Sequence, residues 1–455
     1  MFFKRAREVT LLDRVHEHIQ LPHIVAQVVD TPAVQRLRSL KQLGVSSYLY
    51  PGAVHTRFEH SIGVAHMAQH ILLSIRRRQP DLGIGEDDIC KAMLAGLLHD
   101  VGHGPFSHLF EDVIAPRWGV TFSHQDMSES IARRTLKMVL PQDSVEDIVA
   151  LMKGSCLSRI KYGEVVNNRR NGVDMDKVDY FMRDSICCFG KPALDVRVNR
   201  LVNSTLLVYS EGEWQLAFEE KLAISLRELF ALRAKLHKNV YQHHIVKAIG
   251  HMIGDIMHAA AHHFQVCGRQ LIDCAQDVEL MLKLGDWVLE AIESSSDPAL
   301  RPAQEIIARL RTRDIYRLVF TCTLYPGVEL PHGWLEKLKA DIVASCSSLS
   351  PHQPVTADDF VLDVIVINYG KGSSDPLKNI LFFNPKRPSQ PLTTISPSAS
   401  SQSPLFAPFS FEERTLMVFE RRHTDGAICA ACEHVTKCEA YHKFFVESVP
   451  FYNRR

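Results

Sequence analysis

The chain has 455 residues, 46% hydrophobic and 23% charged, and its 52 basic and 52 acidic side chains cancel to a net charge of zero. That composition predicts a soluble globular protein with a substantial core. It excludes the basic field of a generic nucleic-acid binder, so any anion site has to be built locally. Eleven cysteines form no regular framework, Lys4, Arg5 and Arg7 interrupt any apolar leader, and no run reaches the roughly 18 apolar residues of a membrane span. The expectation is an intracellular chain with reduced thiols and no membrane segment, cytoplasm and nucleus being indistinguishable at this level.

Thr31 before Pro32 reads as an N-cap with proline at the first helical position, and predicts a helix over 31–42. Beyond a turn at Pro51 and Gly52, a second helix is expected over 58–77, with Ile62, Ala65, Ala68, Ile71, Leu72 and Ile75 on the 3.6-residue period. Residues 89–98 are almost continuously apolar and predict a buried helix. It runs directly into His99, Asp100, Val101, Gly102, His103, Gly104 and Pro105. That change from an apolar wall to titratable groups and glycines is where a site is expected. A hairpin is predicted over 206–209 and 214–218, turning through Ser210, Glu211, Gly212 and Glu213. Long helices follow over 221–264. The β-rich runs 360–366 and 380–383 are expected to pair with each other, and the Ser/Pro-rich stretches 345–356 and 387–408 read as loops. No internal repeat is present. The layout predicts a mostly α fold, with a helical core carrying a small β-hairpin over 1–330 and a smaller α+β lobe over 331–455.

Four segments carry chemistry: His55-Thr56-Arg57-Phe58-Glu59-His60-Ser61, the run from His99 to His108, Ser123-His124-Gln125-Asp126, and Asp174-Met175-Asp176-Lys177-Val178-Asp179-Tyr180. Imidazole and carboxylate together suit a divalent ion that activates water. His99 and Asp100 can ligate together if the helix breaks after them, which Val101 and Gly102 allow. Leaving both uncompensated in an apolar wall would be costly, so a metal or firm hydrogen bonding is expected.

The histidine upstream, the His-Asp doublet with its Gly-His-Gly-Pro sequel and the Asp-rich segment downstream form the HD superfamily signature. Their flanks resemble the SAM-and-HD-domain dNTP triphosphohydrolases of animals. The resembling stretches include Asp30-Thr31-Pro32-Ala33-Val34-Gln35-Arg36-Leu37-Arg38, Lys41-Gln42-Leu43-Gly44, Ala95-Gly96-Leu97-Leu98-His99-Asp100, Arg170-Asn171-Gly172-Val173-Asp174-Met175-Asp176-Lys177 and Leu236-His237-Lys238-Asn239-Val240-Tyr241-Gln242-His243. The similarity starts near Leu12, and the SAM domain and long C-terminal tail of the animal enzymes have no counterpart in the sequence.

The resemblance implies a helical HD-domain core and cleavage of a dNTP to deoxynucleoside and inorganic triphosphate, by attack of metal-activated water at the α-phosphorus. It implies His60, His99, Asp100 and Asp176 as ligands of a transition metal (Fe, Mn or Zn), with Mg on the substrate phosphates. His108 would be the general acid, with His124 and His103 facing the phosphates. Glu111 stands one turn beyond His108, where the family carries aspartate, and is expected to orient the imidazole. Arg57, Lys177 and Arg233 would clamp phosphate oxygens, with Tyr180 on a phosphate or sugar edge. Gln42 and Asp184 match readers of the 3′-hydroxyl, and Leu43 and Tyr241 match positions packed against the 2′ carbon.

The family is activated by GTP and dNTP effectors that assemble a tetramer. Asp30, Gln35 and Arg38 match guanine-reading positions, and Lys221 and Arg421 keep their charge, but Glu219, His244 and Met417 stand where cations are usual. A dimer or tetramer is expected, with nucleotide-gated assembly altered or lost. Cys429, Cys432, Cys438 and His442 have a loosely zinc-like spacing, but a helix would spread them over more than one face, which favours a partly buried thiol cluster. Two other functions share parts of the pattern. A different HD phosphohydrolase, a nucleotidase or phosphodiesterase, would not need the three-cation clamp. A nucleotide- or nucleic-acid-binding scaffold would not need an intact ligand set, and Arg76, Arg77 and Arg78 read as a solvated helix end rather than a nucleic-acid patch.

Overall fold

The computed structural model describes residues 8–155, 159–192, 197–349, 352, 354–392 and 408–446. An antiparallel hairpin, β1 (Val9–Asp13) and β2 (Glu17–Leu21), leads into α1 (His23–Val29) and α2 (Pro32–Arg36). Next come α3 (Arg57–Arg78), α4 (Glu86–Leu98), a π-helical turn at Phe110–Ile114, α5 (Ala115–Arg117), α6 (His124–Leu136), α7 (Gln142–Lys153), α8 (Met175–Phe189) and α9 (Arg197–Ser204). α3 is buried on most of its circumference and packs on α4 and α8. Gly63 permits the approach of α8, because a Cβ there would lie 2.0 Å from Asp179 Oδ1 and 2.4 Å from Arg183 Nη2.

The helix expected over 31–42 stops at Arg36, and a single 3-10 turn follows at Leu37–Ser39. Leu40 is extended (φ −117°, ψ 114°), Leu40 O accepts Arg57 N at 2.9 Å, and Gln42 N donates to His55 O at 2.9 Å. Pairing with 55–57 outweighs helix propensity here and sets Gln42 beside the start of α3.

The predicted hairpin forms as β3 (Leu206–Ser210) and β4 (Glu213–Glu219). Its two turn residues, Glu211 (φ 54°) and Gly212 (φ 85°), are both left-handed, as the twist of a two-residue hairpin demands. The long helical region divides into α10 (Ala223–Leu236) and α11 (His244–Ala260), separated by a second π-helical turn at His237–Tyr241. A short hairpin, β5 (Gln265–Val266) and β6 (Arg269–Gln270), then α12 (Val278–Met281), α13 (Val288–Glu293) and α14 (Arg301–Arg311) complete the helical body.

β7 (Arg317–Leu324), α15 (Trp334–Leu349), β8 (Phe360–Asn368), β9 (Leu381–Asn384), β10 (Arg387–Leu392), β11 (Glu412–Glu420), α16 (Ala427–Lys437) and α17 (Glu439–His442) follow. β11 lies between β7 and β8 in an antiparallel sheet, with α15 and α16 packed together over a separate core of Phe320, Leu324, Trp334, Leu338, Ile342, Phe360, Leu416 and Val418. The expected pairing of 380–383 with 360–366 does not occur. β9 runs parallel to β4, Ala217 opposite Leu381, because burial of Phe382 in the main core carries it away from β8, which stays at the edge of its own sheet beside β11. The first five residues of the Ser-rich stretch 345–356 continue α15, and residues 387–392 form a strand; 393–407 lie outside the described residues. The fold is mostly α, with small sheets. Among the described residues no helix is long and apolar enough to cross a membrane.

Candidate metal centre and active site

The first turn of α3 supplies His60, the end of α4 supplies His99 and Asp100, and the first turn of α8 supplies Asp176. The side chain of Asp174 caps α8 by accepting Lys177 N at 3.0 Å, which fixes the turn that carries Asp176. His60 Nε2 lies 3.1 Å from Asp176 Oδ1 and 3.7 Å from Asp100 Oδ2, and His99 Nε2 lies 3.4 Å from both carboxylates. His99 Nδ1 donates to Gly96 O at 2.7 Å, a carbonyl that can only accept, and His60 Nδ1 donates to Asp179 Oδ2 at 2.8 Å. Each neutral ring therefore carries its lone pair on Nε2, and among the described residues neither buried Nε2 has a hydrogen-bond partner.

Two bare nitrogen lone pairs and two anionic oxygens at this spacing repel unless a cation lies among them. Ligand atoms about 2.1 Å from one ion stand about 3–3.5 Å apart, so the residues fit a divalent metal. Without one, protons are drawn in. Burial opposes a charge on His60, yet Asp176 and Asp179 lift its pKa to about 10. His99 is likewise raised against burial by Asp100 and Asp176. Burial works against charge on Asp100 too, but His99 and Arg57 hold its carboxyl well below the usual range.

Arg57 is buried beside this centre, with Nε donating to Ser107 Oγ at 2.8 Å and Nη1 to Asp100, while Nη2 has no partner. His103 Nε2 lies 3.5 Å from Asp100 Oδ1, and neither of its ring nitrogens is hydrogen-bonded. Burial and the Arg57 cation keep His103 neutral, well below the ordinary histidine range. Its ring stacks on His124, centroids 4.0 Å apart, and meets His108 edge-on at 4.8 Å. One nitrogen from each of these three rings falls within 4.8 Å of the others. His108 occupies the solvent-open side of the cluster. Glu111, on the π-helical turn, binds His124 Nδ1, and no hydrogen bond from it to His108 occurs among the described residues. Lys177 Nζ is held by Asp174 Oδ2 at 2.8 Å, and the Tyr180 ring meets His60 edge-on at 6.4 Å. Arg233 Nη1 is bound by Asn368, at 3.0 Å to Oδ1 and also to the backbone oxygen.

The residues expected on the sugar side, Asp184, Tyr241 and Gln42, meet around His55. Its Nε2 donates to Asp184 Oδ1 at 2.8 Å, Tyr241 OH donates to Asp184 Oδ2 at 2.5 Å, and Gln42 hangs from the His55 carbonyl with its own Oε1 buried and unpartnered. Leu43 follows, partly buried.

Several supports received no role from the sequence. Arg36, fully buried, donates to His103 O at 2.8 Å, Val101 O at 3.2 Å and Leu284 O at 2.7 Å. Asp286 accepts Phe106 N at 2.7 Å and Lys41 N at 2.9 Å, and burial pushes its pKa up to about 6. Between them they hold the loop in which Phe106 and Ser107 both adopt φ 62°. Asp179 stood in a quoted segment, three residues from Asp176 and four from Arg183, a helical spacing that could have marked it. Asp286 had no local signal.

The effector candidates fall in separate places. Gln35 Nε2 donates to Val29 O at 2.8 Å and its Oε1 accepts Arg38 Nε at 2.9 Å, while the Arg38 guanidinium covers Phe58. Asp30 caps the end of α1 and is exposed. Lys221 pairs with Glu219. Arg421 is engaged by Asp255, at 2.8 and 3.1 Å, and by Asp358 O at 2.8 Å. His244 and Met417 line one open cleft of about 510 Å³, floored by Thr321, Ile365 and Thr415 of the sheet. Cys429, Cys432, Cys438 and His442 form no metal-holding group among the described residues: Cys432 is buried in the lobe core, Cys429 is partly covered and Cys438 is exposed.

Residues 57–180 match the model of the HD domain. The chain is 30% identical over 456 residues to deoxynucleoside triphosphate triphosphohydrolase SAMHD1 of Gallus gallus, covering 93% of this chain and 73% of that protein. It is 29% identical to the Homo sapiens protein of the same name, with 93% and 72% covered. A homolog in Dictyostelium discoideum is 31% identical over 416 residues, with 90% and 76% covered.

Proposed function

The chain belongs to the family of SAMHD1-type deoxynucleoside triphosphate triphosphohydrolases, and from that membership and the geometry of the site we propose that it hydrolyses dNTPs to a deoxynucleoside and inorganic triphosphate. The observation that carries the reading is the quartet His60, His99, Asp100 and Asp176, whose two imidazole Nε2 atoms are buried without partners and lie against two carboxylates. A divalent ion held there (Fe, Mn or Zn, with Mg on the substrate phosphates) would supply the Lewis acidity that makes water a nucleophile at neutral pH.

The chain's own residues do the rest. Arg57 offers an unpartnered Nη2 to a phosphate oxygen, with Ser107 and Asp100 fixing its plane. Lys177, held by Asp174, and Arg233, held by Asn368, add two more cations to the clamp. His103, kept neutral, hydrogen-bonds the phosphates without repelling the ion. His124 is oriented by Glu111, so its Nε2 is directed by a carboxylate on the opposite nitrogen. His108 donates the proton to the departing 5′-oxygen. Crowding by the protein and the Arg57 cation hold its pKa down; a bound polyphosphate reverses that balance and lets the ring carry the proton. Asp184 and Gln42 take the 3′-hydroxyl, and Leu43 with Tyr241 closes the space a 2′-hydroxyl would need, giving a finite preference for deoxyribose.

Control by effector and assembly differs from the family's usual arrangement in this reading. The pairing of Arg421 with Asp255 and of Lys221 with Glu219, together with His244 and Met417 lining one cleft, supports weakened binding of a GTP or dNTP effector. The direct test is product analysis of Mn²⁺-loaded protein given each dNTP, with and without GTP, beside Asp176→Ala. Deoxynucleoside and intact triphosphate, absent with the variant, is the expected result. Monophosphate or orthophosphate would instead identify a nucleotidase or phosphodiesterase.

A further inference from the structure

His60 donates its Nδ1 hydrogen to Asp179, and Asp179 is fully buried. That carboxylate accepts three other N–H groups: Arg183 Nε and Nη2, both at 2.9 Å, and His16 Nε2 at 2.6 Å. His16 lies not in the helical body but in the turn of the β1–β2 hairpin, more than 160 residues away in sequence. We propose that the N-terminal hairpin is a working part of the metal centre, with His16 as a positioning residue that acts on His60 through Asp179. The inference rests on His60 being a metal ligand, and adds to it what aims that ligand.

The turn is built around this contact. Asp13 Oδ1 accepts the N–H groups of Val15 and His16, both at 2.9 Å, an Asx turn that directs the His16 ring inward, while Asp13 Oδ2 takes Arg183 Nη1 at 2.8 Å. Glu17 closes the turn at φ 59°, a left-handed conformation that disfavours a non-glycine residue. The turn is thus held by its docking more than by its own propensity. Arg14 adds an ion pair with Glu59, Nε to Oε2 at 2.9 Å, next to His60 in the chain.

Anchoring alone would not need these groups, since Ile19 and Leu21 of β2 already bury completely. Placing an imidazole, two carboxylates and a guanidinium in the interior carries a desolvation cost that apolar packing avoids. What the arrangement fixes is the rotation of the Asp179 carboxylate. Four donors in two directions leave it one orientation, and that orientation holds Nδ1–H on His60 and the lone pair on Nε2. Remove His16, and Oδ1 loses its shortest donor, so Arg183 alone holds the carboxylate and the aim of His60 loosens.

Mn²⁺ affinity, read by electron paramagnetic resonance of the free ion, tests this without turnover. His16→Gln restores a donor near the place of Nε2, whereas His16→Asn stops short of Asp179; both keep a polar group in the turn. The glutamine variant should bind within about threefold of wild type and the asparagine variant tenfold to a hundredfold more weakly, the usual range for a lost outer partner of a ligand. Equal affinities in the two variants, each folded by circular dichroism, would overturn the proposal. A second measurement needs no variant. Since coupling is reciprocal, Mn²⁺ should slow amide exchange of residues 9–21 in the wild-type chain, and unchanged exchange there would also overturn it. A wild-type chain that takes up no ion would defeat the reading of the site itself, a result distinguishable from both.

Discussion

Burial alone would strip the proton from His55, yet the Asp184 carboxylate 2.8 Å away and the neighbouring Cys187 lift its pKa to about 9 from an ordinary 6.5. A histidine raised in the folded state stabilises the fold in full below about 6.5 and loses that contribution as pH climbs through 9. The shift corresponds to about 3 kcal/mol, or a few degrees in Tm for a chain of this size. The thermal midpoint of the wild type should therefore fall between pH 7 and 9.5 more steeply than that of His55→Gln; parallel curves would show that the pair contributes nothing. The same pair shows the limit of sequence at this scale. His60, His99, Asp100 and Asp176 stood out because motif and spacing mark them, and the fold gathers them around one point. The pairings that aim such residues did not stand out, although Asp184 carries an expected role at the 3′-hydroxyl and Asp179 stands in the Asp-rich segment. Asp184 lies 129 positions from His55 and Asp179 lies 119 from His60, distances over which no local pattern extends.

Helix α4 was readable from its apolar run, and the segment after it from its glycines and histidines, but the shape of that segment comes from elsewhere. Its carbonyls are gathered by Arg36 and one of its N–H groups by Asp286, while Gly44 passes so close that a Cβ would lie 2.6 Å from Phe106 O. Asp286→Ala would leave the Phe106 and Lys41 N–H groups unpaired, at a cost of about 2–3 kcal/mol. Because those two segments carry Ser107 and Gln42, kcat/KM should fall along with the denaturation midpoint. A variant that loses stability but keeps full kcat/KM would show that the loop needs no such brace. Two misjudged elements share a cause with this one. Residues 40–42 leave the helix to pair with 55–57, and β9 passes over β8 to pair with β4. Propensity says what a segment can form; the partner available in the fold decides what it does form.

Across the whole molecule the helical body and the C-terminal sheet are interleaved rather than strung in series. β7 joins the sheet before residue 331, β9 crosses back to the body, and partly buried pairs tie the two: Asp363 with His251 at 2.9 Å and Lys247 at 2.8 Å, and Arg421 with Asp255. The sheet also reaches the site, since Asn368 at the end of β8 holds Arg233. The sequence divided the chain by composition and so missed this crossing, because charge pairs between distant segments leave no trace in either one. What the assembled site does to its substrate is tested most directly by hydrolysis of each dNTP in ¹⁸O-labelled water with the Mn²⁺-loaded chain, the products being weighed by mass spectrometry. Attack at the α-phosphorus with departure of the 5′-oxygen predicts one labelled oxygen in the triphosphate and none in the deoxynucleoside. Labelled orthophosphate, a labelled monophosphate or a labelled deoxynucleoside would contradict it.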